Sequence, residues 1–256
     1  MKRLFLLLLV IFATVVTAMA QIDTEEEPIP PPRKSFGPKF GGAAGFTQNF
    51  LFLDISPINQ ILAANNFAPL NGSAMFMKGG QGYGYIMLVP NLRVGGMGGS
   101  GTRLSTSYSL SDHTRRDLEL SAGFGGVTVD YVFPVLPRFD IATGVFLGMG
   151  GMSFTLRRDD GAQKLWGTEW SQLGTTGAVY NVTTKLLGTF FVVQPNVNFE
   201  FAILRWLGIR VGAGYMGMFG NNWKVDDNYD LLGVPDNINA KGWMINGGIF
   251  LGTFIY

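Results

Sequence analysis

Few residues in this chain have the types and spacing to do chemistry. His113 is the only histidine. Ser111, Asp112 and His113 stand too close in sequence to face one another as a triad, and a partner serine would have to come from elsewhere in the fold. A solvated loop histidine is expected instead. Gly96, Gly98 and Gly101 satisfy the G-x-G-x-x-G spacing of dinucleotide sites, yet residues 102–110 read as a strand and not as a helix whose N-terminus could hold a pyrophosphate. A glycine-rich turn is the expectation there. Asp226, Asp227, Asn228, Asp230 and Asp236 offer hard oxygen ligands, but the segment lacks the glycine and the glutamate that a calcium loop places at fixed positions. The absence of cysteine excludes disulfides, thiolate catalysis and Cys-ligated metals. No catalytic, cofactor-binding or metal-binding residue is assigned, and a protein that is not an enzyme is expected.

Four charges carry more information: Asp130, Asp140, Glu200 and Arg210, each on the less greasy face of an alternating segment. An isolated charge facing a dry interior costs several kcal/mol, so these four are expected to pair inside the fold. A lining that selects a permeating solute is the alternative.

The elements that must position them are strands. From Thr189 to Leu204, Phe191, Val193, Pro195, Val197, Phe199, Phe201 and Ile203 fall on one side, with Gln194, Asn196, Asn198 and Glu200 on the other. Soluble strands average about five or six residues, so period two sustained this long needs a special reason. Residues 205–219 repeat the pattern, with Leu207, Ile209, Val211, Ala213, Tyr215 and Phe219 opposite Gly208, Arg210, Gly212 and Gly214. A turn centred on Arg205 sets Glu200 against Arg210 and Phe199 against Val211. Upstream, Leu118, Leu120, Ala122 and Phe124 alternate with polar or small residues, and beyond Gly125 and Gly126 the apolar phase moves to Val127, Val129, Tyr131 and Phe133. This slip predicts a bulge or kink, and a similar change across Gly148, Gly150 and Gly151 predicts one beside it. Residues 83–94 and 102–110 are weaker strand candidates. Short links are expected near Gly98 to Gly101, Pro134 to Arg138 and Leu204 to Leu207, and long polar connections over 158–185 and 220–241.

Composition agrees with a chain that buries itself on two sides. Of 256 residues 47% are apolar and only 14% charged, with formal net charge +1, which excludes a disordered chain and gives no basic surface for nucleic acid. Lys2 and Arg3, an apolar run from Leu4 to Val16 and then Ala18-Met19-Ala20 form a signal peptide over 1–20. Residues 21–42, rich in acid and proline, read as a disordered tether. Residues 43–82 read as a lead-in containing one short helix, started by Ser56 as N-cap and Pro57, with Ile58, Ile61 and Leu62 on one face; it would plug or cap the structure beyond it. Residues 83–256 are assigned to a β-barrel, the form that long alternating strands joined by short links on one side and long connections on the other describe. No apolar run after the signal reaches the length of a membrane helix.

The last residues, from Trp243 to Tyr256, carry Phe250, Phe254 and Tyr256 two or four apart. This resembles the C-terminal strand of small bacterial outer-membrane β-barrel proteins, which ends on an aromatic residue. The resemblance implies an all-β, closed, antiparallel transmembrane barrel of eight strands in the bacterial outer membrane, surrounded by lipid and delivered to the barrel-assembly machinery. On that reading Trp206, Trp243, Phe254 and Tyr256 sit at the membrane interfaces, while Ile245, Ile249, Leu251 and Ile255 face the lumen. The expected role is structural or surface-interacting through the long external loops, toward an extracellular ligand. The alternatives are a narrow channel for a small or hydrophobic solute, and a secreted lipocalin-like barrel that binds an apolar ligand.

Overall fold

Alternating side chains make each long segment an extended strand, and a run of such strands joined by tight turns has only its neighbours to bond with. The computed structural model describes residues 41–109, 113–160 and 181–254, all within the unit Pro38–Tyr256. The expected signal peptide, the expected tether up to residue 40 and Tyr256 lie outside the described residues. The strands are β1 Gly42–Leu53, β2 Ala74–Tyr85, β3 Leu92–Ser109, β4 Thr114–Leu136, β5 Phe139–Asp159, β6 Val182–Leu204, β7 Leu207–Val225, β8 Tyr229–Asp230 and β9 Gly242–Gly252, with one helix, α1, Ser56–Ala64. Eight of them pair in sequence order, every pair antiparallel, and β9 bridges β7 to β1, so the expected all-β barrel of eight strands closes on itself. The two-residue β8 bonds only to the end of β7.

Glu200 stands opposite Arg210 and Phe199 opposite Val211, the register that parity alone implies. The chain termini of the barrel and the tight turns 86–91, 137–138 and 205–206 share one end, called lower below. The connection carrying α1, the ends of β5 and β6 that flank residues 161–180, and the segment 226–241 share the upper end.

Four expectations are corrected. First, the barrel begins at Gly42, because the lead-in supplies β1 and β2, which zip together from Gly42↔Gly84 to Phe52↔Ala74. Second, Gly96 to Gly101 is neither a turn nor a short link but the middle of β3, paired with β4 throughout and with β2 as far as Ser100. Third, Gly125 and Gly126 introduce no slip. β4 keeps its register with β3 from Tyr131 to Thr114, and with β5 its one irregularity lies at Pro134/Leu136. Leu118, Leu120, Ala122 and Phe124 point inward, as do Thr128 and Asp130. The apolar phase moves because the surroundings of the strand change, not its geometry. Fourth, Ile55 is the N-cap of α1, and Ser56 is its first residue, its N–H donating to Asp54 Oδ1 at 3.0 Å.

The helix lies in the β1–β2 connection and caps the upper mouth. Ile58 and Leu62 are buried in one cluster with Leu118, Phe154, Phe190, Trp223 and Ile238. Asn59 fastens it by accepting from the Leu70 N–H at 2.8 Å and donating to the Leu70 carbonyl at 3.2 Å.

Outside, the lower two thirds is hydrocarbon. Phe46 and Phe50 on β1, Val129 and Tyr131 on β4, Leu147 on β5, Val197 and Phe199 on β6, Val211 and Tyr215 on β7 and Ile245 and Ile249 on β9 are all exposed. At about 3.3 Å per residue and a tilt of about 40°, the span from Leu207 to Phe219 rises about 30 Å, against about 25 Å for the apolar belt of such barrels. Above the belt the same outward face carries Arg115, Asp117, Glu119 and Arg157, and Arg157 pairs with Glu119 at 3.2 Å.

Candidate functional site

Inward-facing residues of β6 give the layout of the lumen in one line: Phe190 and Val192 at the top, Gln194, Asn196 and Asn198 in the middle, Glu200 at the bottom, all buried. β1, β2, β4 and β9 keep the same order, with Phe146 of β5 and Met97 of β3 set among the amides of the middle, and the interior has three levels.

The bottom level is a charge lock. Glu200 Oε1 accepts from the Tyr83 hydroxyl at 2.7 Å. Its Oε2 accepts from Arg93 Nη1 at 3.2 Å, from Arg210 Nε at 3.1 Å and from Arg210 Nη2. Arg93 Nε also donates to Asp130 Oδ2 at 3.1 Å. The Arg93 and Arg210 guanidiniums lie over the Tyr83 ring at 4.1 and 4.6 Å, and Arg210 lies over the Phe250 ring at 4.5 Å. Arg93, at 0% exposure, and Arg210 balance Asp130 and Glu200, so the level is neutral although every member is buried. Side chains from β2, β3, β4, β6, β7 and β9 meet here, which ties opposite walls of the cylinder together.

The middle level is uncharged and polar: Thr47, Asn49, Gln81, Thr128, Gln194, Asn196, Asn198 and Asn246. The side-chain amides of Asn49 and Gln194, Asn198 Oδ1 and the hydroxyls of Thr47 and Thr128 keep open hydrogen-bonding capacity among the described residues. This is the wettable part of the lumen. Above it, Met152, Phe190, Met216, Met218 and Met244 pack with Leu118, Leu120 and the helix into a dry plug. The unbranched methionines fill the irregular space between the rings.

Of the four charges singled out in the sequence, Asp130, Glu200 and Arg210 enter the lock. Asp140 stands beside Glu200 in the register, half-buried toward the lower rim. Sequence reasoning missed Arg93, Tyr83 and Phe250. Arg93 was findable in principle, since it is the register partner of Asp130, but that pairing requires β3 to be recognised through its glycines.

The aromatic assignments divide. Trp206 is exposed at the lower turn between β6 and β7, and Trp243, 62% exposed, starts β9 on the outer face, its ring edge-on to Tyr215 with centroids 5.5 Å apart. Phe254 is a correction: it is 8% exposed and turned inward, its ring resting on Gly208, where a β-carbon would come within 2.7 Å. Phe250 also points in, and Ile245, Ile249 and Leu251 point out, the reverse of the expectation. The Arg210 cation above Phe250 decides this, because an aromatic face inside the lock stabilises Arg210 and lipid gives the ring no such partner. Tyr256 and Ile255 lie outside the described residues. His113 is exposed in the β3–β4 turn. Asp226 and Asp227 serve the turn after β7: Asp226 Oδ1 accepts from the Lys185 N–H at 2.9 Å, and Asp227 pairs with the Lys185 ammonium at 3.3 Å. No cluster of metal-ligating side chains occurs among the described residues.

A closed antiparallel cylinder with hydrocarbon outside and a polar network within is the construction of a transmembrane β-barrel. No protein-family model matches the chain, and no curated protein matches it. Solved structures of bacterial outer-membrane proteins are similar to it in fold. A major outer membrane protein from Thermus thermophilus shares 11% identity over 83% of this chain and 98% of its own, with TM-score 0.46. Neisserial surface protein A shares 12% over 84% and 97%, TM-score 0.43. OprG from Pseudomonas aeruginosa shares 13% over 86% and 99%, TM-score 0.42.

Proposed function

We infer that the protein is a non-enzymatic barrel of the bacterial outer membrane with a structural and surface-interaction role, presenting its upper rim outside the cell around a lumen that does not conduct. One observation carries this reading: the lumen is shut twice, by the lock joining Arg93, Asp130, Glu200 and Arg210 and by the plug of buried methionine and aromatic side chains above it. Eight strands leave an interior just wide enough for side chains to fill. The apolar run Leu4 to Val16 followed by Ala18-Met19-Ala20 supports export. The exposed apolar belt supports insertion with outer-membrane lipid as the surrounding partner, and a closed barrel with such a belt is fit cargo for the barrel-assembly machinery. Contacts with an extracellular ligand then fall to the upper connections.

Purified barrel in planar bilayers is expected to show no discrete conductance, and Glu200→Ala or Arg210→Ala to stay silent because the plug above remains. Steady conductance steps altered by either substitution would establish the narrow channel instead. Cell fractionation is expected to place the protein in the detergent-extracted outer membrane, with a gel mobility that changes on boiling. Recovery from periplasm or medium without detergent would establish a soluble ligand-binding barrel.

A further inference from the structure

The upper mouth holds a feature that neither the lock nor the belt requires. A cavity of about 250 Å³ opens between α1, the upper ends of β4 to β7 and the connection from β8 to β9. Its wall is hydrocarbon and aromatic ring, including Ile61 and Leu62 of α1, Leu118, Phe154, Trp223 and, from the connection, Leu232. Ile61 and Leu232 are 47% and 89% exposed, above the lipid belt, in the part of the molecule whose outer face carries charges. Apolar side chains gathered at the rim of a recess in a wet region mark a place where something apolar enters.

The chemistry of the wall narrows what that is. None of the lining residues is charged, so an ion would lose its hydration without compensation. Trp223 is 3% exposed, its ring stacked on Phe154 with centroids 5.8 Å apart and interplanar angle 17°, and edge-on to Phe190 at 5.8 Å. The ring lies so close to Gly188 that a β-carbon there would come within 2.7 Å. Its Nε1–H is covered by the fold, so the recess offers a guest ring and hydrocarbon. As for size, an apolar cavity of about 150 Å³ takes up benzene, so this one has room for a two-ring body.

We propose that the cavity binds a small uncharged aromatic hydrocarbon of one or two rings, lying against the apolar side chains of its wall, Ile61, Leu118, Phe154 and Leu232 among them. The site is independent of whether the lumen conducts, since it lies above the plug.

The test is equilibrium dialysis of the protein in lipid nanodiscs against empty nanodiscs, with 2-isopropylnaphthalene as probe and 2-naphthalenesulfonate as its charged match. Saturable uptake of one isopropylnaphthalene per barrel above the empty discs is expected, with no saturable uptake of the sulfonate. Ile61→Trp, at the exposed rim, should abolish the saturable uptake, and retained heat-dependent gel mobility shows that the variant has folded. Uptake equal to empty discs, uptake indifferent to Ile61→Trp, or saturable uptake of the sulfonate overturns the proposal.

Discussion

On β4 the inward residues change from Leu118, Leu120, Ala122 and Phe124 in the upper half to Thr128 and Asp130 in the lower. The outward residues change from Arg115, Asp117, Glu119 and Ser121 to Val127, Val129, Tyr131 and Phe133. β5 does the same, with Met152 and Phe154 inside its upper part and Val145 and Leu147 outside its lower part. Strand direction, pairing and register are continuous across the change. The upper barrel is built like a water-soluble protein, with apolar burial holding its core together. The lower barrel is built for hydrocarbon, where water outside no longer rewards an apolar interior and the core is free to be polar provided its charges are matched. One cylinder can combine both because alternation only requires the two faces to differ.

The largest expected break falls on the lower core. Glu200→Ala leaves Arg93 and Arg210 without their shared acceptor and should cost about 3–5 kcal/mol, read as a lower urea midpoint in lipid vesicles. Adding Arg210→Met should restore part of that loss, and a double variant no better than the single would show that the lock is not a matched set. Next, Val129→Lys puts a charge in the belt and should cost about 2–4 kcal/mol by the same unfolding measurement. Trp243→Ala removes the edge-to-face contact with Tyr215 and should cost about 0.5–1.5 kcal/mol beyond the lost area. The smallest effect sharpens the boundary. Ser121→Lys, on the same outward face of the same strand as Val129, should fall within about 0.5 kcal/mol of the parent. Equal costs at 121 and 129 would move the belt upward and erase the distinction between the halves.

β6 and β7 were legible down to their register because each has one greasy and one polar or small face and the turn between them is minimal. β1 and β2 were not. Phe50 and Phe52 face out while Leu51 and Leu53 face in, and Phe76 lies outside between inward Met75 and Met77, so both faces are apolar and period two leaves no trace. The same blindness hid the orientation of β9, where Ile249 and Phe250 are equally greasy and only the guanidinium of Arg210 distinguishes their sides. All four charges expected to pair could be named from their faces, and Asp130, Glu200 and Arg210 enter the lock, but Arg93 and Tyr83 could not be named, because they come from strands whose glycines carry no pattern.

The amino-acid order by itself determined that this chain forms long antiparallel strands, one short helix near Ser56 and a cylinder greasy on its outside, because those follow from side-chain alternation, which is local. Which residues share the lumen, that Phe254 turns in upon Gly208, and that α1 roofs a cavity beside Trp223 were decided only when β9 closed onto β1. Closure brings together side chains more than a hundred positions apart, and a contact of that range is set by the geometry of the ring and not by any neighbour in the sequence.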